Sequence, residues 1–210
     1  MIVEVGAGTG LVSLCLGASA ASESPMRIVA TDCDSAALKN IKRNVHQNDL
    51  LQVVAVEEWN WLNATLPKWS ASVDLILASD VIYDNTNAYL HLSRHLAAIL
   101  SRSQEDRRPP EALFMLQIRG EQGYCGSSVE AFINDVRERG LMVNELPLPA
   151  FTQSLCQVNR GFRVTRQAGR QTDRQTYGQA DTRCECLHVY TCILCICTIY
   201  RAGRTERPRV

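Results

Sequence analysis

The sequence predicts an α/β protein built on a doubly wound, mostly parallel sheet with helices on both faces, and three observations lead there. Short apolar runs alternate with helical stretches through residues 1–146, the rhythm of consecutive strand–helix units. The apolar runs are continuous rather than alternating, as strands covered on both faces must be. The first of them passes directly into a glycine cluster, Gly6-Ala7-Gly8-Thr9-Gly10, where a strand gives way through a tight loop to a helix N-terminus.

Taken in order, Ile2 to Val5 is the first strand, and Leu11 to about Ala21 carries the helical pattern after the glycines. Arg27 to Thr31 is a second buried strand ending at Asp32. Ser35 to Asn48 is a helix with Ala36, Leu38, Ile41 and Val45 inward, Lys39, Lys42 and Arg43 outward, and Ser35 as its expected cap. Leu51 to Val56 makes a third strand, a loop holds Trp59 and Trp61, and Val73 to Ala78 makes a fourth strand. A helix is expected from about Thr86 to Arg102, strand five at Ala112 to Ile118, a helix at Val129 to Arg139 and strand six at Leu141 to Leu146. Ligands of such sheets bind at the carboxyl ends of the strands, where the strand order reverses.

Composition narrows the function classes. The 210 residues carry 22 basic and 22 acidic side chains, and 46% are apolar, an ordinary globular balance. Residues 1–158 hold 12 basic and 18 acidic groups, whereas residues 159–210 hold 10 and 4. An acidic body argues against nucleic acid as the main ligand, since phosphate binding draws on clustered Lys and Arg. The longest apolar candidate, Leu187 to Tyr200, has 14 residues, short of the roughly 18 to 20 that a membrane-spanning helix needs. The apolar stretch Leu11 to Ala21 lacks a basic start, and Cys15, Cys33, Cys125 and Cys156 form no disulfide framework. The chain is therefore expected to be reduced and intracellular, cytoplasmic with the nucleus also open, and monomeric.

Residues 1–158 are expected to form the folded domain and residues 159–210 a low-complexity, disordered tail. Arg166 to Thr176 repeats Arg-Gln pairs every four residues without an apolar stripe, the period that a four-base codon repeat would produce. Cys184, Cys186, Cys192, Cys195 and Cys197 are too cramped for two ordinary zinc knuckles. His91 and His95 stand four apart, but Leu92 occupies the place where a metalloprotease helix needs Glu, so both read as surface or packing histidines. No metal site is expected.

Three signals carry chemistry. Glycines at positions 6, 8 and 10 let backbone amides approach a ligand, in a G-x-G-x-G spacing preceded by Glu4 that departs from the dinucleotide fingerprint. Asp32, at the end of the second strand, is placed to accept hydrogen bonds from ribose hydroxyls. Leu77 to Tyr83 closes strand four and brings Asp80 and Tyr83 to the same sheet edge as the glycines.

The segments VEVGAGTGL, TDC, EEWNW and LILASDVIY, in that order, resemble the family-16 seven-β-strand protein methyltransferases, which include lysine methyltransferases of elongation factor 2, calmodulin and molecular chaperones. The likeness covers roughly residues 2–146. It implies a Rossmann-like class I methyltransferase sheet that binds S-adenosylmethionine. On this resemblance Glu4, Gly6, Ala7, Gly8, Asp32, Trp61 and Ser79 are the cofactor-binding positions, with Trp59 as a rival to Trp61 beside the adenine. Asp80 and Tyr83 match the family's D-x-x-Y substrate motif and are the expected catalytic pair. The implied partner is a protein substrate, a translation factor or a chaperone. The family also carries an N-terminal helical region over the cofactor, so this chain is expected to be a shortened or aberrantly spliced member. The family's last antiparallel strand should fall near Gln157 to Arg166, and QVNRGFRVTR fits it poorly. Two rival functions stay open: an inactive binding domain, and a nicotinamide-dependent oxidoreductase.

Overall fold

The computed structural model describes residues 1–19, 26–82, 87–102, 108–117, 125–147 and 159–167. Seven strands form one sheet in the order β3-β2-β1-β4-β5-β7-β6. They are β1 (Ile2–Val5), β2 (Ile28–Asp32), β3 (Val54–Glu58), β4 (Leu75–Ser79), β5 (Glu111–Gln117), β6 (Leu141–Leu146) and β7 (Asn159–Arg166). The helices are α1 (Leu11–Ser19), α2 (Ser35–Gln47), α3 (Ala88–Leu100) and α4 (Cys125–Glu138), with a short 3-10 helix at Lys68–Ala71.

The first five strands pair in parallel, Ile2 beside both Ile28 and Leu75. The strand order reverses between β1 and β4, and this switch point opens a crevice at their carboxyl ends. Pleating splits the core by parity. Ile2, Ile28, Ala30, Leu77, Leu113 and Met115 pack with Val12, Leu16, Ile41 and Val45 of α1 and α2 on one face. Val3, Val5, Val29, Ile76, Phe114 and Leu116 pack with Leu92, Leu96, Phe132 and Ile133 of α3 and α4 on the other.

Three expectations need correction. The cap of α2 is Asp34, whose Oδ1 accepts from the amides of Ala36 at 2.7 Å and Ala37 at 2.8 Å; Ser35 is already helical, and an acceptor one residue earlier reaches the free amides of the first turn. The third strand begins at Val54, because the amides of Val53 and Val54 both turn back onto Leu50 O and leave Leu51 exposed. The seventh strand falls within Gln157 to Arg166, where the resemblance places the family's last antiparallel strand, although its sequence fits poorly. Residues 159–166, outside the domain boundary expected at residue 158, form β7, antiparallel to both β5 and β6. Phe162 and Val164 enter the core on one face of β7, and Arg163 between them is half-buried, so the strand reads as alternation rather than as an apolar run. The remainder of the expected tail, including its cysteines, lies outside the described residues, where among those described no helix is long and apolar enough to cross a membrane.

Candidate cofactor and substrate site

The glycine loop leaves β1 with three residues in the left-handed region, Gly6 at φ 63°, Gly8 at 56° and Gly10 at 77°. At Gly6 the need is steric as well. A Cβ there would stand 2.8 Å from Val81 Cγ1 and 3.7 Å from Trp61 Cη2, so the chain after β4 and the loop after β3 both close on this residue. A Cβ at Gly8 would meet nothing within 4 Å. That residue faces open space at the crevice.

The loop amides are largely spent inside the protein. Ala7 N–H donates to Thr31 O at 2.8 Å, Gly8 N–H to Asp32 Oδ2 at 2.8 Å and Gly10 N–H to Ala7 O at 2.7 Å. Asp32 Oδ1 also accepts from Asp34 N–H at 3.0 Å. Each Asp32 oxygen has thus accepted one bond and keeps lone-pair capacity for a further donor. Burial, and next the Asp32 charge, push the Cys33 thiol up. The local field at this lip is negative, which suits hydroxyl donors and cations rather than phosphates.

Glu4 stands behind the loop. Its Oε2 accepts from Ser13 N–H at 2.9 Å and from the Ser13 hydroxyl, tying β1 to the first turn of α1. Burial raises its carboxyl from the ordinary value to about 7, with the Ser13 bonds acting in the opposite sense. Of the residues expected at the cofactor, Glu4 supports the loop from inside. Thr9 O is held from the other side by Asn44 Nδ2 at 3.0 Å.

The two tryptophans after β3 separate cleanly. Trp59 is buried in the core against Trp69, whereas Trp61 is half-buried with its ring beside Gly6. Trp61 therefore joins the glycine loop and Trp59 does not. Across the crevice, β4 ends at Ser79, and Asp80 follows with φ 54°, its N–H donating to Met115 O at 2.7 Å. Asp tolerates this left-handed conformation better than most side chains. The turn sets Val81 on Gly6. Asp80 and the loop are therefore neighbours at the switch point, while Tyr83 lies outside the described residues. Sequence reasoning missed the contacts of Val81 and Ser13. His95, read as a surface or packing histidine, is buried within the stripe of Leu92, Leu96 and Ile99.

A family model described as "lysine methyltransferase" matches residues 1–124. The protein-lysine methyltransferase METTL21E of Mus musculus is 36% identical over 88 residues, covering 39% of this chain and 34% of that protein. The protein N-lysine methyltransferase METTL21A of Xenopus tropicalis is 34% identical over 112 residues, covering 49% of this chain and 48% of that protein. The chain thus spans about half or less of the length of the curated relatives it matches. Among solved structures, the S-adenosylmethionine-dependent methyltransferase SibL superposes with a TM-score of 0.57 at 14% identity, over 80% of this chain and 50% of that one. The methyltransferase domain of bacterial CtHen1-C gives 0.58 at 13%, over 80% and 89%. These two likenesses identify the fold, a class I methyltransferase sheet.

Proposed function

We propose, for a chain that belongs to the lysine methyltransferase family, that residues 1–167 form the S-adenosylmethionine-binding catalytic domain of a protein-lysine N-methyltransferase. The observation that carries the cofactor assignment is the consumption of the glycine-loop amides by Thr31, Asp32 and Ala7. A pyrophosphate-binding loop keeps such amides for the ligand. Here they are turned inward against a carboxylate, which disfavours a nicotinamide dinucleotide and fits a cofactor with ribose hydroxyls and a cationic sulfonium but no phosphate.

Gly6, Ala7 and Gly8 allow close approach to the methionine part, Asp32 accepts from the ribose hydroxyls, and Trp61 and Ser79 flank the adenosine. S-adenosylmethionine supplies a methyl group on a sulfonium that leaves as a neutral thioether. The chain's own task is to prepare the acceptor. A lysine of pKa about 10.4 attacks only after its proton has passed to solvent water. Asp80 is assigned to orient the incoming ammonium, and Tyr83 to hold it by its ring before deprotonation. Alignment of nitrogen, methyl and sulfur then provides the remaining acceleration. We take the substrate to be a protein, a translation factor or a chaperone, met by a monomer in the cytoplasm or nucleus.

One paired experiment tests the assignment: calorimetry with S-adenosylhomocysteine, and label transfer from methyl-labelled cofactor to a protein extract. Asp32→Ala is expected to weaken binding by about 1.5 to 3 kcal/mol, the range for a charge-assisted hydrogen bond. Asp80→Ala is expected to lower transfer by about a hundredfold or more with affinity within a few-fold, as for a positioning group. Binding without any transfer would favour the inactive binding domain. Saturable binding of a nicotinamide cofactor would overturn the assignment.

A further inference from the structure

All three tryptophans of the chain, Trp59, Trp61 and Trp69, cluster about Trp59, which also packs against His95 of α3. Trp59 meets Trp69, His95 and Trp61 edge-on, with ring centroids 5.1, 5.6 and 6.1 Å away. His95 is only 2% exposed, and its Nε2 lies 3.0 Å from Trp61 O and 2.8 Å from Asn63 O. Both partners only accept, so Nε2 carries the proton and the imidazole is a donor shared between two carbonyls.

We infer that His95 is a positioning residue for the cofactor site, acting through the turn that carries Trp61. The inference rests on the cofactor assignment above. Bonds within the turn shape it: Asn60 Oδ1 accepts from Leu62 N–H at 2.9 Å, and Asn60 O from Asn63 N–H at 3.1 Å. Neither bond joins the turn to a helix. Leu62, at its apex, is 52% exposed, so its outer side gives little packing. His95 reaches across from α3 and fixes both flanking carbonyls, which sets the height of the Trp61 ring over Gly6, where Trp61 Cη2 comes 3.7 Å from the position a Cβ would take. The linkage runs from a buried helix position, through two carbonyls, to the ring that walls the adenosine pocket. An apolar side chain of similar volume keeps the packing against Trp59 and removes the donor. Packing and positioning are therefore separable.

The test uses the full chain, S-adenosylhomocysteine as the probe and two variants. His95→Gln retains an amide donor near the place of Nε2, and His95→Leu retains bulk alone. Calorimetry is expected to show Kd raised about tenfold in His95→Leu and within about threefold of the original in His95→Gln, as expected for loss and retention of a buried donor. Without ligand, acrylamide quenching of tryptophan fluorescence should rise in His95→Leu and not in His95→Gln. In a Trp61→Ala background His95→Leu should change Kd by less than about twofold, because a residue acting through the ring is non-additive with it. Should His95→Leu fail to fold, His95→Asn, whose shorter amide falls short of both carbonyls, replaces it. Unchanged Kd in the donor-free variant, or equal losses with and without Trp61, would overturn the positioning role alone. Absence of saturable binding by the unsubstituted chain would overturn the cofactor assignment, and this inference with it.

Discussion

The two halves of the sheet use polar side chains for different work. Around β1 to β4 the contacts run from side chain to backbone: Asp32 to Gly8 N–H, Glu4 to Ser13 N–H, Asn44 to Thr9 O, and His95 to Trp61 O and Asn63 O. Around β5 to β7 they run from side chain to side chain. Arg163 Nε donates to Glu111 at 2.8 Å, Arg160 Nε to Glu145 at 2.8 Å, and Arg139 Nε to Asp135 at 2.7 Å. A bond to backbone fixes where a loop goes, whereas these ion pairs, half-exposed at Arg160 and Glu145 and partly buried at Arg163 and Glu111, join elements that packing and pairing already hold. The first half shapes the candidate site and the second closes a sheet.

The largest effect should come from removing the closing strand. A chain ending at Val158 lacks β7, strips Phe162 and Val164 from the core and leaves β5 and β6 without their shared partner. It is expected to show no cooperative thermal unfolding. A chain ending at Gln167 should melt within about 3 °C of the full protein or higher, since the Arg-Gln repeat that follows it has no apolar stripe to pack on the sheet. Equal melting of both truncations would mean that β7 contributes only pairing at the surface.

Next is the loop itself. Gly6→Ala combines a positive φ with a 2.8 Å approach to Val81, and should cost about 2 to 4 kcal/mol in denaturant unfolding. Gly8→Ala has the positive φ but no crowding, and should cost about 1 to 2 kcal/mol. Similar values for the two would show that Val81 yields without penalty.

Glu4 gives a pH signature of comparable size. Its folded value of about 7 lies above the ordinary carboxylate value of 4.5. A raised folded value means that the stabilising contribution is complete below the unfolded value and is lost as pH climbs through the folded one. The protein should therefore lose on the order of 3 kcal/mol through this group between pH 4 and pH 8. Glu4→Gln keeps an oxygen for Ser13 and does not titrate, so the difference between the two stability profiles should widen in favour of Gln as pH rises. Parallel profiles from pH 5 to pH 8 would show that Glu4 keeps a nearly ordinary affinity for its proton.

The smallest effect belongs to the closing half. Arg160 holds the Glu145 carboxyl below its ordinary range, yet Glu145 is 52% exposed. Glu145→Gln is expected to cost less than about 1 kcal/mol, and less still at high salt. A loss of the size seen at Gly6 would erase the distinction between the halves.

The site half was the more legible in sequence for the same reason. Backbone-directed chemistry restricts residue type, so Gly6, Gly8, Gly10 and Asp32 stand out in a row of letters, and the buried strands β1, β2 and β5 announce themselves as apolar runs. The closing half was harder. In β7 two core residues, Phe162 and Val164, sit among three arginines, and the acidic partners that accept Arg163 and Arg160 lie at Glu111 and Glu145, 52 and 15 residues away in the chain.

Local patterning by itself determined the alternation of strands and helices, the strand–glycine–helix unit and the acid at the end of β2. It did so because each depends on a period or a backbone angle that neighbouring residues fix together. Only the tertiary structure decided that β7 enters between β5 and β6, that Trp61 rather than Trp59 meets the glycine loop, that Glu4 faces inward to Ser13, and that His95 belongs to the tryptophan turn. These are contacts between segments distant in sequence, and which of several chemically suitable partners meet is settled by sheet order and side-chain parity, which no local window contains.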